Sequence, residues 1–275
     1  MKKLSINRWW LFEGKEIPDT IKEISNFGFN GVELDLADPT NYNINELKKM
    51  LNKYKMQPSG IAAVNTLKEE YDLCSLDEDI RKRAINDVKS CLYFAKKVGA
   101  PVVVILPGLK REGNDYELLF NNFIENLKEL GEVCEELNLR ICIENAHGRI
   151  CENSDDLLQV FETIRGLSRY IGALFDTGHF LLSKENLNDV ATKLRRYIYH
   201  LHIDNNGGKI DDHALPTVGL LTEHDFVKFF ETLKANNYQG WYSFEIRPKN
   251  ETVSFILKAC KKFFDNFVEQ PCDYL

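Results

Sequence analysis

The sequence contains no C-x-x-C pair, although seven cysteines are scattered from Cys74 to Cys272. An odd count without paired spacing argues against a disulfide framework and predicts free thiols in a reducing, cytoplasmic setting. No run approaches the ~20 apolar residues of a membrane helix. The start, MKKLSINRWWLFEGKE, is charged again at Glu13, too soon for a signal peptide. Low-complexity segments and Pro/Gly/Ser linkers are absent as well, so one domain over residues 1–275 is expected. An excess of positive charge is also missing: 35 Lys and Arg stand against 42 Asp and Glu, a net charge of −7. Such a surface repels a phosphate backbone, which argues against nucleic acid as a partner. No strand-like run leads into a Gly-rich phosphate turn; NNGGK runs into IDDH, not directly into a helix. Histidine is scarce too. Three of the six crowd, with three aspartates, into HLHIDNNGGKIDDH, His200 to His213.

What the chain does contain is a repeat of pattern. Hydrophobic residues make up 44%, enough for a sizeable core. Short apolar runs alternate with longer amphipathic stretches: LSIN, GVELDL, PSGIAAV, PVVVILPG, LRICIEN, YIGALFDTG, YIYHLHID and GWYSFEI each precede a helical pattern. In the fourth helix the apolar positions are Leu118, Phe120, Phe123, Ile124, Leu127 and Leu130. Ser154 and Thr222 occupy expected N-cap positions, and Gly99 follows the third helix. Strand–helix alternation implies parallel strands joined by helical crossovers. Eight units at about 34 residues each predict an α/β fold, a single-domain (β/α)8 TIM barrel.

In such a barrel the C-terminal ends of the strands carry the chemistry. Here four consecutive apolar runs close on a ligand-type residue: Glu144, Asp176, His202 and Glu245. Taken singly, Asp176 could cap a loop through Thr177 and Gly178, and either glutamate could sit in a salt bridge. Taken together, three carboxylates at one barrel mouth would repel one another or take up protons unless a divalent cation lay between them. Three carboxylates and an imidazole suit Mn²⁺, Mg²⁺ or Co²⁺, and Zn²⁺ also fits.

The ordered set ICIEN, LFDTGH, HLHID and YSFEI resembles the xylose isomerase-like TIM-barrel superfamily, along nearly the whole chain from FNGVEL onward. That group includes sugar isomerases and epimerases, inosose dehydratases and endonuclease IV. The resemblance implies Glu144, Asp176, His202 and Glu245 as metal ligands, Glu144 and Glu245 also as the catalytic acid/base pair, and His179 beside them. The endonuclease branch is similar at these positions and at Asp211 and His213, but it needs histidines at the ends of the third and fourth strands. This chain has PSGIAAVNTL and VVVILPG there, with Leu106 at the fourth-strand position. The resemblance therefore favours a metal-dependent isomerase or epimerase of carbohydrate metabolism acting on a sugar or sugar-phosphate. The alternatives are a dehydratase-type lyase, an endonuclease-type hydrolase or a non-catalytic sugar-binding barrel. Neither nucleic acid nor membrane is expected as a partner, and a homo-oligomer is left open.

The expected substrate contacts are His179, Glu33 at the end of the second strand, Asp204, Asp211, His213, Arg247 and Trp10. Arg8, Trp9, Trp10 and Phe12 follow the first strand, with core packing the default for at least two of the three aromatics. His200 shares the parity of His202 and should point inward one layer deeper. His147 is a candidate for the shell behind the ligands, whereas Lys209 and His224 read as surface residues.

Overall fold

The computed structural model describes residues 3–111, 113–167 and 169–269. Eight parallel strands run in chain order around one sheet: β1 (Leu4–Ile6), β2 (Gly31–Leu36), β3 (Gln57–Ala63), β4 (Val102–Ile105), β5 (Arg140–Glu144), β6 (Ile171–Asp176), β7 (Ile198–Ile203) and β8 (Tyr242–Phe244). β1 pairs with β8, and a bridge between Asn7 and Glu33 brings β1 back to β2, so the barrel closes. Helices fill the crossovers: α1 (Ile17–Ser25), α2 (Ile44–Tyr54), α3 (Glu78–Val98), α4 (Tyr116–Leu137), α5 (Ser154–Thr163), α6 (Thr177–Leu182), α7 (Leu187–Lys193), α8 (Glu223–Ala235) and, after β8, α9 (Val253–Phe264).

Local chemistry explains the boundaries. Asp77 and Asp115 accept first-turn N–H groups of α3 and α4, and Gly99 ends α3 in the left-handed region that its missing Cβ permits. Thr222 caps α8 as expected, in a reciprocal box with Asp225. Ser154 does not cap α5. Asn153 does: its backbone is extended and its side chain accepts from the N–H groups of Asp155 and Asp156 in a reciprocal box with Asp156, while the Ser154 hydroxyl donates to Glu185 at 2.5 Å. The link from β6 to β7 also differs from the sequence pattern. It is two short helices, and Thr177 and Gly178 open the first of them instead of forming a loop.

The main core lies between strands and helices, and a small apolar cluster of Val102, Val104, Cys142 and Leu174 packs inside the barrel. The rest of the interior is polar. Ser5, Glu33, Ser59, His200 and Ser243 are all fully buried there. Six cysteines, from Cys74 to Cys260, are buried free thiols, and Cys272 lies outside the described residues. Among the described residues no helix is long and apolar enough to cross a membrane.

Candidate metal centre

β5 and β6 end on Glu144 and Asp176, His202 is the penultimate residue of β7, and Glu245 directly follows β8. Parallel register sets Asp176 beside His202 and His202 beside Ser243, so these side chains converge at the mouth. One ligand atom of each of the four lies within 4.8 Å of the others. His202 Nδ1 stands 2.7 Å from Glu245 Oε2, 3.2 Å from Glu144 Oε1 and 3.7 Å from Asp176 Oδ2. The remaining oxygens, Glu144 Oε2 and Glu245 Oε1, belong to side chains that line the cavity at the mouth.

Two observations test whether a divalent ion fits. Asp176 Oδ1 accepts the N–H of His179 at 2.8 Å, capping α6, but Oδ2 is buried with no hydrogen-bond partner. A buried anionic oxygen in that state calls for a cation or a proton. The charges agree. Burial first, then repulsion from Asp204, raises the Asp176 carboxyl well above its ordinary range. For His202, burial disfavours the charged ring, but Glu33, Glu245 and Glu144 outweigh it and raise its affinity for a proton. A proton on Nδ1 would occupy the place among the carboxylates that a metal ion would take, so the donor set fits a hard divalent cation.

The ring is aimed from below by Glu33. This residue is not at the end of β2 but in its middle, fully buried, and its carboxylate is 3.0 and 3.1 Å from His202 Nε2. It also accepts from His200 Nε2 at 2.8 Å and from the Ser243 hydroxyl at 3.0 Å. A carboxylate can only accept, so Nε2 of His202 carries the proton and Nδ1 faces the mouth. Burial opposes ionisation of Glu33, yet His202 and His200 outweigh it and hold its carboxyl well below the usual range. Glu33 does not line the cavity, so the structure makes it a holder of histidines, not a substrate contact. β2 runs on to Leu36, which puts Glu33 a layer below the rim.

His179, Asp211 and His213 form a second cluster beside the first. Asp211 Oδ2 lies 2.9 Å from His179 Nε2 and 3.1 Å from His213 Nε2, while His179 Nδ1 meets the carbonyl of Asn145 at 2.5 Å. Burial opposes ionisation of Asp211, but the two imidazoles outweigh it and depress its carboxyl strongly. An antiparallel bridge between Asn205 and Ala214 folds the β7–α8 loop back and delivers His213 to Asp204, at 2.8 Å. Asp204 also accepts from Gly178 N at 2.8 Å and is fully buried outside the cavity lining. Like Glu33, it positions others and is not a substrate contact.

The cavity itself holds about 270 Å³. Glu144, His202, Glu245, His179, Asp211, His213 and Trp10 line it. Arg247 is not in the lining; its guanidinium stacks 4.3 Å over the Trp10 ring and braces it. Trp9 lines the cavity, Phe12 is core, and Arg8 pairs with Asp35 at 2.5 Å. His147 touches the rim, but its ring is 89% exposed and pairs with Glu152 at 2.9 Å, because the turn after Ala146 points it to solvent. Lys209 and His224 are exposed. Among the polar lining residues, the sequence pattern did not reveal Asn7, Thr66 or Arg149. Asn7 follows β1, and its place after an apolar run was a usable signal. Arg149 had none: it reaches the wall by donating to the carbonyls of Thr66 and Pro107, both at 3.1 Å, and of Leu67 at 3.2 Å.

A family model described as "Xylose isomerase-like TIM barrel" matches residues 21–262. An uncharacterised protein of Methanocaldococcus jannaschii, MJ1614, is 30% identical over 171 residues, 60% of this chain and 64% of that protein, so the chain spans just under two thirds of it. Other relatives are fructoselysine 3-epimerase, 2-oxo-tetronate isomerase and inosose dehydratase, at 20 to 24% identity. Among solved structures, a D-tagatose 3-epimerase-like protein superposes with a TM-score of 0.83 at 22% identity, covering 97% of this chain and 98% of its own. The IOLI protein, solved with a bound zinc atom, superposes at 0.82 with 18% identity, covering 98% and 99%. The chain belongs to the xylose isomerase-like TIM-barrel family.

Proposed function

We propose that this protein is a divalent-metal-dependent isomerase or epimerase of a sugar or sugar-phosphate. One observation carries the proposal: two carboxylates, Glu144 and Glu245, meet at one histidine and both line the same cavity. A bound Mn²⁺, Mg²⁺ or Co²⁺, with Zn²⁺ also fitting the ligands, would supply positive charge to substrate oxygens that become negative when a neighbouring C–H loses its proton. Glu144 and Glu245 then have the work of removing and returning that proton. They come from β5 and β8, on different sides of the mouth, so the carbon can be approached from two directions. His179 and His213 stand within hydrogen-bonding distance of Asp211 and present a polar wall for substrate hydroxyls. Trp9 and Trp10 offer apolar faces on which a sugar ring can pack.

A dehydratase-type lyase is the second reading, favoured by the relationship to inosose dehydratase. Both reactions begin with loss of a proton beside a carbonyl. An endonuclease role is weaker, because Ala62, Ala63 and Leu106 stand at the mouth on the β3 and β4 side, where that branch needs imidazoles. The deciding experiment incubates the protein with Mn²⁺ and a panel of ketoses, aldoses and inososes in heavy water. Deuterium at carbon with no water lost identifies an isomerase or epimerase, and deuterium with loss of water identifies a lyase. No exchange across the panel would leave a binding protein.

A further inference from the structure

The N-terminal ends of the strands frame another cavity, of about 370 Å³, at the far end of the barrel from the metal ligands. Four cationic side chains line it: Lys3 ahead of β1, Arg140 at the start of β5, and Arg195 and Arg196 ahead of β7. Among the described residues no aspartate or glutamate lines it, in a chain where acids outnumber bases by 42 to 35. Lys3 Nζ donates to the Gln239 carbonyl at 3.1 Å, and Arg195 Nη1 donates to the Thr192 carbonyl at the end of α7, at 2.9 Å. Those contacts account for Lys3 and Arg195. They do not account for Arg140, which lies 4.5 Å over the Tyr199 ring, or for Arg196. None of the four pairs with a carboxylate among the described residues, so like charges converge on this opening without an internal counter-ion.

Deeper in, Ser59 and His200 contribute to the wall, and both are fully buried. His200 Nε2 donates to Glu33, and its other nitrogen, Nδ1, is buried without a hydrogen-bond partner. A neutral imidazole that donates through Nε2 presents a lone pair at Nδ1, which calls for a hydroxyl donor. The cavity thus offers two unmet demands at its two ends, an anion at the rim and a hydroxyl inside.

We propose that this cavity binds a small phosphate monoester carrying free hydroxyl groups. Its phosphate lies between Arg140 and Arg196, whose forked guanidinium groups match phosphate oxygens, and a hydroxyl donates to His200 Nδ1. The volume lies within the range of small-molecule sites. The proposal stands apart from the function of the mouth and does not rest on it.

The test is calorimetric titration of the metal-free full chain with sorbitol 6-phosphate, sorbitol and inorganic phosphate. The ester is expected to bind one to one, at least tenfold more tightly than either sorbitol or inorganic phosphate. R140Q and R196Q alter exposed side chains, and each should weaken ester binding severalfold while the double variant weakens it at least tenfold. R247Q, at the mouth, should leave it unchanged. Ester binding that survives R140Q/R196Q overturns the proposal, as does its loss in R247Q. Inorganic phosphate or sorbitol binding as tightly as the ester also overturns it, because one of the two contacts would then be idle.

Discussion

At the scale of the residue, the two mouth glutamates carry opposite expectations from the one beneath them. Glu144→Gln and Glu245→Gln keep size and lose the proton-accepting oxygen. Each is expected to lower turnover by about 10²–10⁴-fold with the thermal transition retained. Wild-type-like exchange of substrate deuterium in either variant would remove the two-base mechanism. Glu33 should act through its neighbours. In Glu33→Gln an amide N–H faces the imidazole donors that the carboxylate accepted, so His202 loses its fixed tautomer. Mn²⁺ affinity, followed by calorimetry, should fall by about 10–100-fold. An unchanged affinity would show that the ring is held by packing alone. The pattern of the sequence placed Glu144, Asp176, His202 and Glu245 at strand ends, because each closes an apolar run; in the structure His202 is one residue short of the end of β7 and Glu245 is one residue past β8. It misplaced Glu33 at the end of the second strand, although GVELDL runs on to Leu36, because a charged residue within a run reads as its end when the burial of both faces is not visible.

At the scale of the element, the β6–α6 junction connects the two clusters. Asp176 caps α6 with one oxygen and presents the other to the mouth, while Gly178, in the first turn, donates its N–H to Asp204. A Cβ at Gly178 would lie 2.7 Å from both Asp204 oxygens, and Asp204 is itself fixed to His213. Gly178→Ala is therefore expected to cost about 1–3 kcal/mol in urea unfolding. It should also disturb His213 and Asp211, raising KM for the substrate found in the exchange screen. A variant with wild-type stability and KM would show that Asp204 can shift freely. The D-T-G-H sequence pointed to this turn. It did not show that the turn is already helix, because a cap and a loop share the same residue preferences.

At the scale of the molecule, the mouth gathers negative charge that protons or a metal ion must balance. In the metal-free protein, neighbouring carboxylates outweigh burial and raise His179, His202 and His213 well above their ordinary values. Groups shifted in that direction stabilise fully below the unfolded value of about 6.5, and the contribution is lost as pH rises through the folded values. The metal-free protein should therefore lose thermal stability on the alkaline side. Saturating Mn²⁺ should raise Tm, by the equivalent of about 2.7 kcal/mol at 100 times Kd, and should flatten that alkaline decline. Equal Tm profiles with and without metal would refute the cation site.

The sequence by itself determined the repeating strand–helix order, the barrel that follows from it, and the residues at the strand ends, since apolar periodicity and strand polarity are local properties. Only the tertiary structure decided which polar residues face one another. Glu33 and His200 lie 167 positions apart yet share a hydrogen bond, and Arg149 reaches the cavity wall through carbonyls of two other loops. The cationic cavity at the opposite end likewise joins residues from the start of the chain to Trp241. Such groupings depend on barrel closure and inter-strand register, which bring distant segments into contact and leave no periodic trace along the chain.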